Sequence, residues 1–270
     1  MRTVPIHSTD VGNGVRIAYR HWRGRGLGTI VFIHGLGATQ EQFAADAEYF
    51  AAAGFDCLTV DLRAHGRSST PAALNREAFT VDAFASDIAR IIANKASSPV
   101  HLVGNSLGGL VALALIAATP ASYRSITTFG TAYRLHFPPG LPTLQYFVGR
   151  LMGRNRLAKI VAKNEGHSEE ASMLLLRMYR TIDLKVMYLA QQNLRVYDYT
   201  HVPAIFDGYI AVIRGEHDRG INRQLPKSLA VLEQRANFKL HEITGAGHFA
   251  NLDRPQDFRR ILLTSLEKLS

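Results

Sequence analysis

The sequence predicts an α/β fold in which a mostly parallel sheet is covered by helices on both faces and interrupted by a helical insertion. Strand-like runs alternate with helical patterns along most of the chain. These runs are almost wholly apolar, as expected for parallel strands that are buried on both faces. The alternation stops at about residue 133 and resumes near residue 209. We therefore predict one core, built from residues 1–132 and 202–270, with residues 133–201 inserted into it.

The composition suits a globular protein and excludes several classes. The 270 residues are 47% hydrophobic and 20% charged, enough for a large α/β domain with a substantial core. The single cysteine, Cys57, lies in an apolar run, so we predict a buried thiol, no internal disulfide and no cysteine metal cluster. The formal net charge is +9, but the cations are dispersed and no nucleic-acid-binding motif accompanies them. We expect no nucleic-acid partner.

The N-terminal residues lack the apolar stretch of a signal peptide. No apolar run approaches the length of a membrane span. Together with the single cysteine, these features predict a cytoplasmic protein without a membrane-spanning segment. The sequence does not indicate the oligomeric state.

The elements before the insertion follow from apolar periodicity and from glycine and proline breaks. Residues 15–22 alternate between apolar and polar and predict a strand near a sheet edge. Buried strands are predicted to begin at residue 29 and to cover residues 55–62, 100–103 and 125–130. Helical spacing predicts helices over residues 43–53, 80–94 and 107–118.

The inserted residues 133–201 show helical patterns and no strand-like run. Helices are predicted to include residues 144–151, 169–179 and 184–196. The segment holds four of the five methionines and has ten Arg or Lys residues against five Asp or Glu. We interpret its methionines and aromatics as a helical core; the alternative is that some of them line an apolar substrate pocket. Strands over 209–215 and 238–243 and helices over 222–235 and from residue 255 complete the fold.

A glycine-rich pentad centred on Ser106 is the first motif that points to chemistry. Gly104-Asn-Ser-Leu-Gly108 joins a buried strand directly to an apolar helix. Such a strand–turn–helix presents the serine hydroxyl at the top of a sheet, and glycines flank it because a Cβ there would clash. We interpret Ser106 as a nucleophile.

A serine nucleophile needs a base in contact with it and a carboxylate that orients the base. In a parallel sheet these groups come from loops at the carboxyl ends of strands. Of the eleven histidines, His248 follows a late strand within a Gly-x-Gly-His sequence, and Asp218 follows the strand before it. The order Ser106, Asp218, His248 is the one that accompanies this turn.

The chain resembles the α/β-hydrolase superfamily. Five motifs in family order carry the resemblance across nearly the whole chain: His34-Gly-Leu-Gly37, Asp61-Leu-Arg-Ala-His-Gly-Arg-Ser68, Gly104-Asn-Ser-Leu-Gly108, Gly215-Glu-His-Asp218 and Gly247-His248. The resemblance implies an α/β-hydrolase fold and a catalytic triad of Ser106, His248 and Asp218. It also implies that residues 133–201 form a cap domain, because the family places its cap there.

When a serine nucleophile attacks a carbonyl group, the carbonyl oxygen becomes a negatively charged oxyanion, which is stabilised by two backbone N–H donors. We predict that they come from Leu107, which follows the nucleophile, and from Leu36 in the loop after His34. The family spacing favours Asp218 over Glu216 as the triad acid. We interpret His34 and His65 as braces of the site, and note that Ala64 stands where the family commonly has glycine. No histidine and carboxylate set has metal-ligand spacing, so we predict neither metal nor cofactor.

These features predict a serine hydrolase that cleaves a small or medium carboxylic ester, with an apolar small-molecule acyl substrate. Several alternatives remain. The Gly-Asn-Ser-x-Gly-Gly sequence of residues 104–109 is shared by carbon–carbon bond hydrolases of ring-cleavage diketones. Lactonase, thioesterase and perhydrolase activities are further alternatives within the enzymes, and a non-catalytic ligand receptor on the same fold is the alternative outside them. Arginines 150, 154 and 156 are candidates to meet an acidic substrate group.

Overall fold

An eight-stranded sheet forms the centre of the protein. The computed structural model describes residues 4–138 and 140–267. The strands of this sheet are β1 (His7–Asp10), β2 (Arg16–Trp22), β3 (Thr29–Ile33), β4 (Asp56–Val60), β5 (Val100–Asn105), β6 (Ser125–Phe129), β9 (Tyr209–Gly215) and β10 (Phe238–Ile243). Two further strands, β7 (Arg134–His136) and β8 (Val196–Asp198), form a separate antiparallel pair.

The sheet order is β1-β2-β4-β3-β5-β6-β9-β10. Strands β4, β3, β5, β6, β9 and β10 run parallel, whereas β2 pairs antiparallel with both β1 and β4. The predicted mostly parallel sheet is confirmed. Because the central strands are parallel, the loops that follow β3, β5, β9 and β10 all emerge at one edge of the sheet.

Helices follow most of the strands along the chain. They are α1 (Ala44–Ala53), α2 (Val81–Lys95), α3 (Leu107–Ala118), α4 (Leu141–Met152), α5 (Arg154–Glu165), α6 (Glu169–Tyr179), α7 (Leu184–Leu194), α8 (Val202–Ile205), α9 (Arg219–Asn222), α10 (Leu225–Leu232), α11 (Ala250–Asp253) and α12 (Pro255–Glu267). Short 3-10 turns cover Gln40–Phe43, Glu77–Phe79 and Pro120–Ser122. In the described part of the chain, no helix is both long enough and apolar enough to cross a bilayer.

Two hydrophobic cores cover the two faces of the sheet. Along β3, Val31 and Ile33 pack into the core that contains α2 and α3, whereas Ile30 and Phe32 pack into the core that contains α1 and α12. Successive strand residues point to opposite faces, so a strand that is buried on both sides must be apolar throughout. All five residues of β3 are buried, in agreement with the near-continuous apolar pattern of the sequence.

Residues 133–201 are called the helical segment below. Helices α4 to α7 lie within it; α4 packs against α7, and α5 packs against α6. The expectation that it lacks strands is wrong, because β7 and β8 pair at its two ends. Each of these strands has three residues, too few for a period of two to be visible in the sequence.

Three other elements differ from the sequence prediction. Strand β1 was not anticipated, because its exposed sequence His7–Asp10 carries no apolar signal. The helix predicted over residues 222–235 is divided into α9 and the shorter α10. The helix α11 also precedes α12, with Pro255 as the first residue of α12, as expected for proline in a first turn.

Candidate active site

Ser106 lies in a strained turn between β5 and α3. Its backbone has φ 52° and ψ −116°, a conformation that costs a non-glycine residue about 1–3 kcal/mol. The flanking glycines make this turn sterically possible. A Cβ on Gly104 would collide with the carbonyl of Gly108, and a Cβ on Gly108 would collide with the carbonyl of Ile33 on the adjacent strand β3. Thr131 Oγ1 donates to the Ser106 carbonyl at 3.2 Å and stabilises the turn.

His248 and Asp218 are hydrogen-bonded to each other. The distance from His248 Nδ1 to Asp218 Oδ2 is 2.8 Å, while Asp218 Oδ1 accepts from the N–H of Ile221 at 3.2 Å. The loops after β10 and β9 therefore hold the carboxylate and the imidazole in a fixed relative orientation. Burial alone would lower the pKa of His248, but the hydrogen bond and the charge of Asp218 raise it above its usual value.

The loops around Ser106 approach one another closely. A Cβ on Gly130 would lie 2.9 Å from His248 Cε1 and 2.8 Å from Asn105 Nδ2. A Cβ on Gly35 would lie 3.3 Å from the Cβ of Ser106. The ends of β3, β5, β6 and β10 thus meet around Ser106 without room for additional side-chain atoms.

A cavity of about 290 Å³ opens above Ser106. Leu36 and Leu107 line it together with Ser106, so the three residues assigned to the nucleophile and the oxyanion donors share one space. Most of the remaining wall comes from the helical segment and is largely apolar: Leu135, Phe137, Leu141, Pro142, Gln145, Gln191, Leu194, Arg195 and Tyr197.

The Leu36 amide is set by the bonds of the peptide groups beside it. The Gly35 carbonyl accepts from His34 Nδ1 at 2.8 Å and from the Ala38 N–H at 3.1 Å. In a trans peptide the N–H points opposite to the carbonyl, so the Leu36 N–H points away from these two donors. The Gly37 N–H is already engaged by His65 Nε2 at 3.3 Å. This arrangement and the position of Leu36 in the cavity wall make its N–H a candidate oxyanion donor.

His34 and His65 are buried braces in this structure. His34 Nε2 accepts from the Leu62 N–H at 3.0 Å, so its Nδ1 carries the proton that is donated to Gly35. Burial disfavours the charged imidazolium and lowers the pKa of His34 to about 4 and that of His65 to about 3. Both rings are neutral at physiological pH, as their acceptor roles require.

Tyr179, at the end of α6, holds the same loop from the side of the helical segment. Its hydroxyl donates to the Leu36 carbonyl at 2.8 Å. Gly37 has φ +84° and lies against the Tyr179 ring, where a Cβ would come within 2.6 Å of a ring carbon. Burial raises the pKa of Tyr179, so the hydroxyl keeps its proton and remains a donor. The helical segment therefore contacts the candidate oxyanion loop directly.

Asn105 is the residue that the sequence analysis most clearly missed. Its side chain is fully buried and connects three loops: Nδ2 donates to the carbonyls of Phe129 at 3.2 Å and His248 at 2.9 Å, and Oδ1 accepts from Gln42 Nε2 at 3.1 Å. Gln42 in turn donates to Asn251 Oδ1 at 3.2 Å. The available signal was the position of Asn105 as the second residue of the pentad Gly104–Gly108. The sequence analysis uses this residue only as part of the motif shared with carbon–carbon bond hydrolases.

Asp253 links the loop of His248 to the helical segment. One carboxylate oxygen accepts from the N–H of Gly247 at 2.9 Å, and the other accepts from the N–H of His167 at 2.8 Å. Burial raises the pKa of Asp253. The sequence offered no way to find this contact, because 86 residues separate Asp253 from His167.

The other residues considered from the sequence lie outside the cavity wall. Glu216 is exposed and accepts from the N–H of Gly245 at 2.8 Å, so it braces a turn. The carboxylate that is bonded to His248 is that of Asp218. Arginines 150, 154 and 156 do not line the cavity; Arg195 does. Across residues 4–138 and 140–267, no group of three or more His, Cys, Asp or Glu side chains is arranged to hold a metal ion.

A larger cavity of about 430 Å³ lies at the opposite edge of the sheet. Val100 begins β5, while Arg124 and Gly208 immediately precede β6 and β9, so this cavity is at the amino ends of the strands. Ligands of parallel α/β sheets bind at the carboxyl ends, where Ser106, Asp218 and His248 lie. We therefore identify the smaller cavity as the candidate active site.

The sequence matches the model of the alpha/beta hydrolase family over residues 30–261. The chain belongs to this family. The match includes the strands β4 to β10, all of β3 except Thr29, and every residue assigned to the candidate site. The resemblance seen in the sequence motifs is thereby confirmed.

Individual relatives are distant. A 2-hydroxy-6-oxononadienedioate/2-hydroxy-6-oxononatrienedioate hydrolase of Burkholderia vietnamiensis is 23% identical over 97% of this chain and 95% of its own. A monoacylglycerol lipase of Mycolicibacterium smegmatis is 27% identical over 55% of this chain and 53% of its own. The crystal structure of esterase RhEst1 from Rhodococcus sp. ECU1013 superposes with a TM-score of 0.80 at 20% identity, covering 98% of this chain and 99% of that one. The structural likeness establishes the fold.

Proposed function

We propose that the protein is a serine hydrolase that cleaves a small or medium carboxylic ester through an acyl-enzyme. The observation that carries the proposal is the arrangement at one sheet edge. Ser106, on its strained turn, shares a cavity with Leu36 and Leu107; His248, whose ring lies close to Gly130 in the adjoining loop, is bonded to Asp218. The esterase and lipase names among the relatives support ester hydrolysis.

In the proposed first step, Ser106 Oγ attacks the ester carbonyl and His248 Nε2 takes its proton. The oxyanion accepts hydrogen bonds from the N–H groups of Leu36 and Leu107; the latter, as the first residue of α3, has no partner within the helix. His248 then gives the proton to the departing alkoxide, so the alcohol leaves and the acyl-enzyme remains. Asp218 holds the imidazole orientation and stabilises its positive charge.

The second step repeats this chemistry with water. His248 takes a proton from water as the oxygen attacks the acyl carbonyl, and the intermediate collapses to release the carboxylic acid. The proton returns to Ser106 Oγ. Under this proposal the helical segment is the cap, and its largely apolar cavity wall fits an apolar acyl substrate.

Substitution of the nucleophile tests the proposal. Ser106→Ala should abolish hydrolysis of a p-nitrophenyl ester while circular dichroism and the thermal unfolding midpoint stay close to those of the wild type. Ser122 is an exposed serine outside the helical segment. Ser122→Ala is therefore the matched control and should hydrolyse the ester at the wild-type rate. Undiminished turnover by Ser106→Ala would contradict the assignment.

A fluorophosphonate probe separates the enzyme from a ligand receptor on the same fold. Prompt covalent labelling at Ser106 supports the enzyme, because the probe requires an activated serine. An unlabelled protein that binds an apolar ligand tightly would support the receptor.

A hydrolase of carbon–carbon bonds in ring-cleavage diketones is the second candidate. Arg195 favours it: this residue lines the cavity, and its Nη1 donates to the Phe137 carbonyl at 3.1 Å. No carboxylate pairs with Arg195 within the described residues, so the guanidinium is available to an acidic substrate. The relative from Burkholderia vietnamiensis is named for a dioate substrate. Parallel assays with a vinylogous diketone acid, neutral acyl esters and lactones would decide between the candidates.

A further inference from the structure

Helix α4 exposes an apolar stripe to solvent. Leu144, Phe147, Val148 and Leu151 are 62%, 63%, 45% and 90% exposed. Their spacing of i, i+3, i+4 and i+7 places them on one face of the helix. Our interpretation of the methionines and aromatics in this segment as core residues is therefore wrong for Phe147, and it is also wrong for Met173, which is 57% exposed. Large contiguous apolar patches are uncommon on monomeric soluble proteins and mark interaction sites.

The surroundings of this stripe are strongly basic. Residues 134–164 contain six Arg or Lys residues and no Asp or Glu. On α5, the exposed cations Arg156, Lys159 and Lys163 recur at helical spacing beside Ile160, which is itself 41% exposed. Apolar and cationic groups thus stand on consecutive helices that only Gly153 separates.

The same helix connects this surface to the candidate active site. A second cavity, of about 250 Å³, lies between α4 and α7 and is lined by Val148 of the stripe. Gln145 and Gln191 belong to the walls of both this cavity and the cavity of Ser106. The two cavities are therefore adjacent along α4.

We propose that the faces of α4 and α5 dock on an anionic lipid surface. Surface-binding helices combine an apolar face that enters the acyl boundary with Lys and Arg side chains that meet anionic head groups. The stripe of α4 supplies the first property, and the cations of residues 134–164 supply the second. The sign of the charge is the argument for a lipid surface over a second copy of this chain, whose equally basic face would repel its partner.

Vesicle flotation with the full chain tests the proposal. Wild-type protein should bind vesicles of phosphatidylcholine mixed with phosphatidylglycerol more tightly than vesicles of phosphatidylcholine alone, and added salt should weaken the binding. The double variant Phe147→Ser/Leu151→Ser removes exposed side chains, so it should fold normally and lose at least about tenfold in vesicle affinity. Its matched control is Leu27→Ser/Leu74→Ser. These leucines lie outside the helical segment and are 49% and 45% exposed, so the control should bind vesicles like the wild type.

A charge variant tests the electrostatic half. Arg154→Gln/Arg156→Gln should weaken binding to the anionic vesicles by about fivefold per removed charge, while Arg223→Gln/Lys227→Gln, at exposed positions outside the helical segment, should leave it unchanged. Equal losses in both pairs, or no vesicle binding by the wild type, would overturn the proposal. A wild-type dimer in analytical ultracentrifugation that Phe147→Ser/Leu151→Ser converts to monomer would also overturn it, in favour of a second copy. None of these outcomes depends on Ser106, so the proposed reaction stands or fails separately.

Discussion

The sheet core and the helical segment are built on different principles. In the core, strands such as β3 are buried at every residue, and the polar groups at the strand ends are buried and hydrogen-bonded, as Asn105 and Asp61 are. In the helical segment, α4 leaves five large apolar side chains exposed and basic residues predominate. The core thus holds its polar side chains by burial and hydrogen bonds, whereas α4 presents an apolar surface to solvent. Under the proposed function, the core would supply the chemistry and the segment would govern access to it.

The largest expected effect on kcat comes from substitution of Asp218, the core carboxylate that is bonded to His248. Asp218→Asn keeps the shape of the side chain but removes the charge that orients and stabilises the His248 cation. By analogy with serine proteases, we expect kcat to fall by about 10⁴-fold with a small change in KM. Steady-state kinetics on a p-nitrophenyl ester would measure this. Glu216→Gln is the control and should stay near the wild type; a larger loss there than in Asp218→Asn would reverse the assignment of the acid.

The pH dependence follows from the same pair. His248 acts as a base only when it is neutral, and its pKa lies above the usual 6.5. Activity should therefore rise with pH through a midpoint above 6.5 and fall about tenfold per pH unit below it. A profile of kcat/KM between pH 5 and 9, fitted to one ionisation, checks this. A midpoint below the ordinary histidine value would show that burial lowers the pKa of His248 by more than Asp218 raises it.

Tyr179→Phe tests whether the two regions are coupled. The variant deletes only the hydroxyl that bonds the Leu36 carbonyl at 2.8 Å. Net loss of one hydrogen bond is worth about 1 kcal/mol, so kcat should fall by roughly fivefold if the loop needs this bond. The decisive measurement is affinity for a trifluoromethyl ketone, which forms the oxyanion: it should weaken in parallel, while KM stays constant. Tyr188→Phe, in α7, is the control, and equal effects in both variants would argue against a specific role for Tyr179.

The smallest expected effect concerns the stability of the core. Ala64 has φ +60°, a left-handed conformation that costs an L residue about 1–2 kcal/mol. Ala64→Gly removes this strain but adds freedom to the unfolded chain, so the free energy of unfolding should rise by about 0.5–1 kcal/mol. Urea denaturation would measure it. A destabilised variant would mean that packing of the Ala64 methyl group outweighs the backbone strain.

The sequence could predict the elements whose burial leaves a periodic signal. Strands β9 and β10 and helix α6 begin and end where their apolar patterns do. The order of Ser106, Asp218 and His248 was readable because each follows a strand that ends at the same edge. The short strands β7 and β8 could not be predicted, because three residues are too few to show the two-residue alternation of a strand.

Other features depended on contacts across long separations in the chain. The bond from Asn105 to the His248 carbonyl spans 143 residues, as does the bond from Tyr179 to Leu36. No local pattern encodes such pairs. The exposure of Phe147 was likewise hidden, because an apolar helical face has the same spacing whether it meets a neighbour or solvent.

Two of the hydrogen bonds between the helical segment and the core support the loops of Leu36 and His248. Tyr179 is bonded to the Leu36 carbonyl, and the His167 N–H is bonded to Asp253, which also holds Gly247 beside His248. If the segment lifted away as a rigid lid, both of its bonds would break, and the loops of Leu36 and His248 would each lose a support. The cavity between α4 and α7 adjoins the cavity of Ser106, and none of the residues in these two bonds to the helical segment lines it. Under the proposed function, entry through this cavity would let substrate and product exchange while both bonds stay formed.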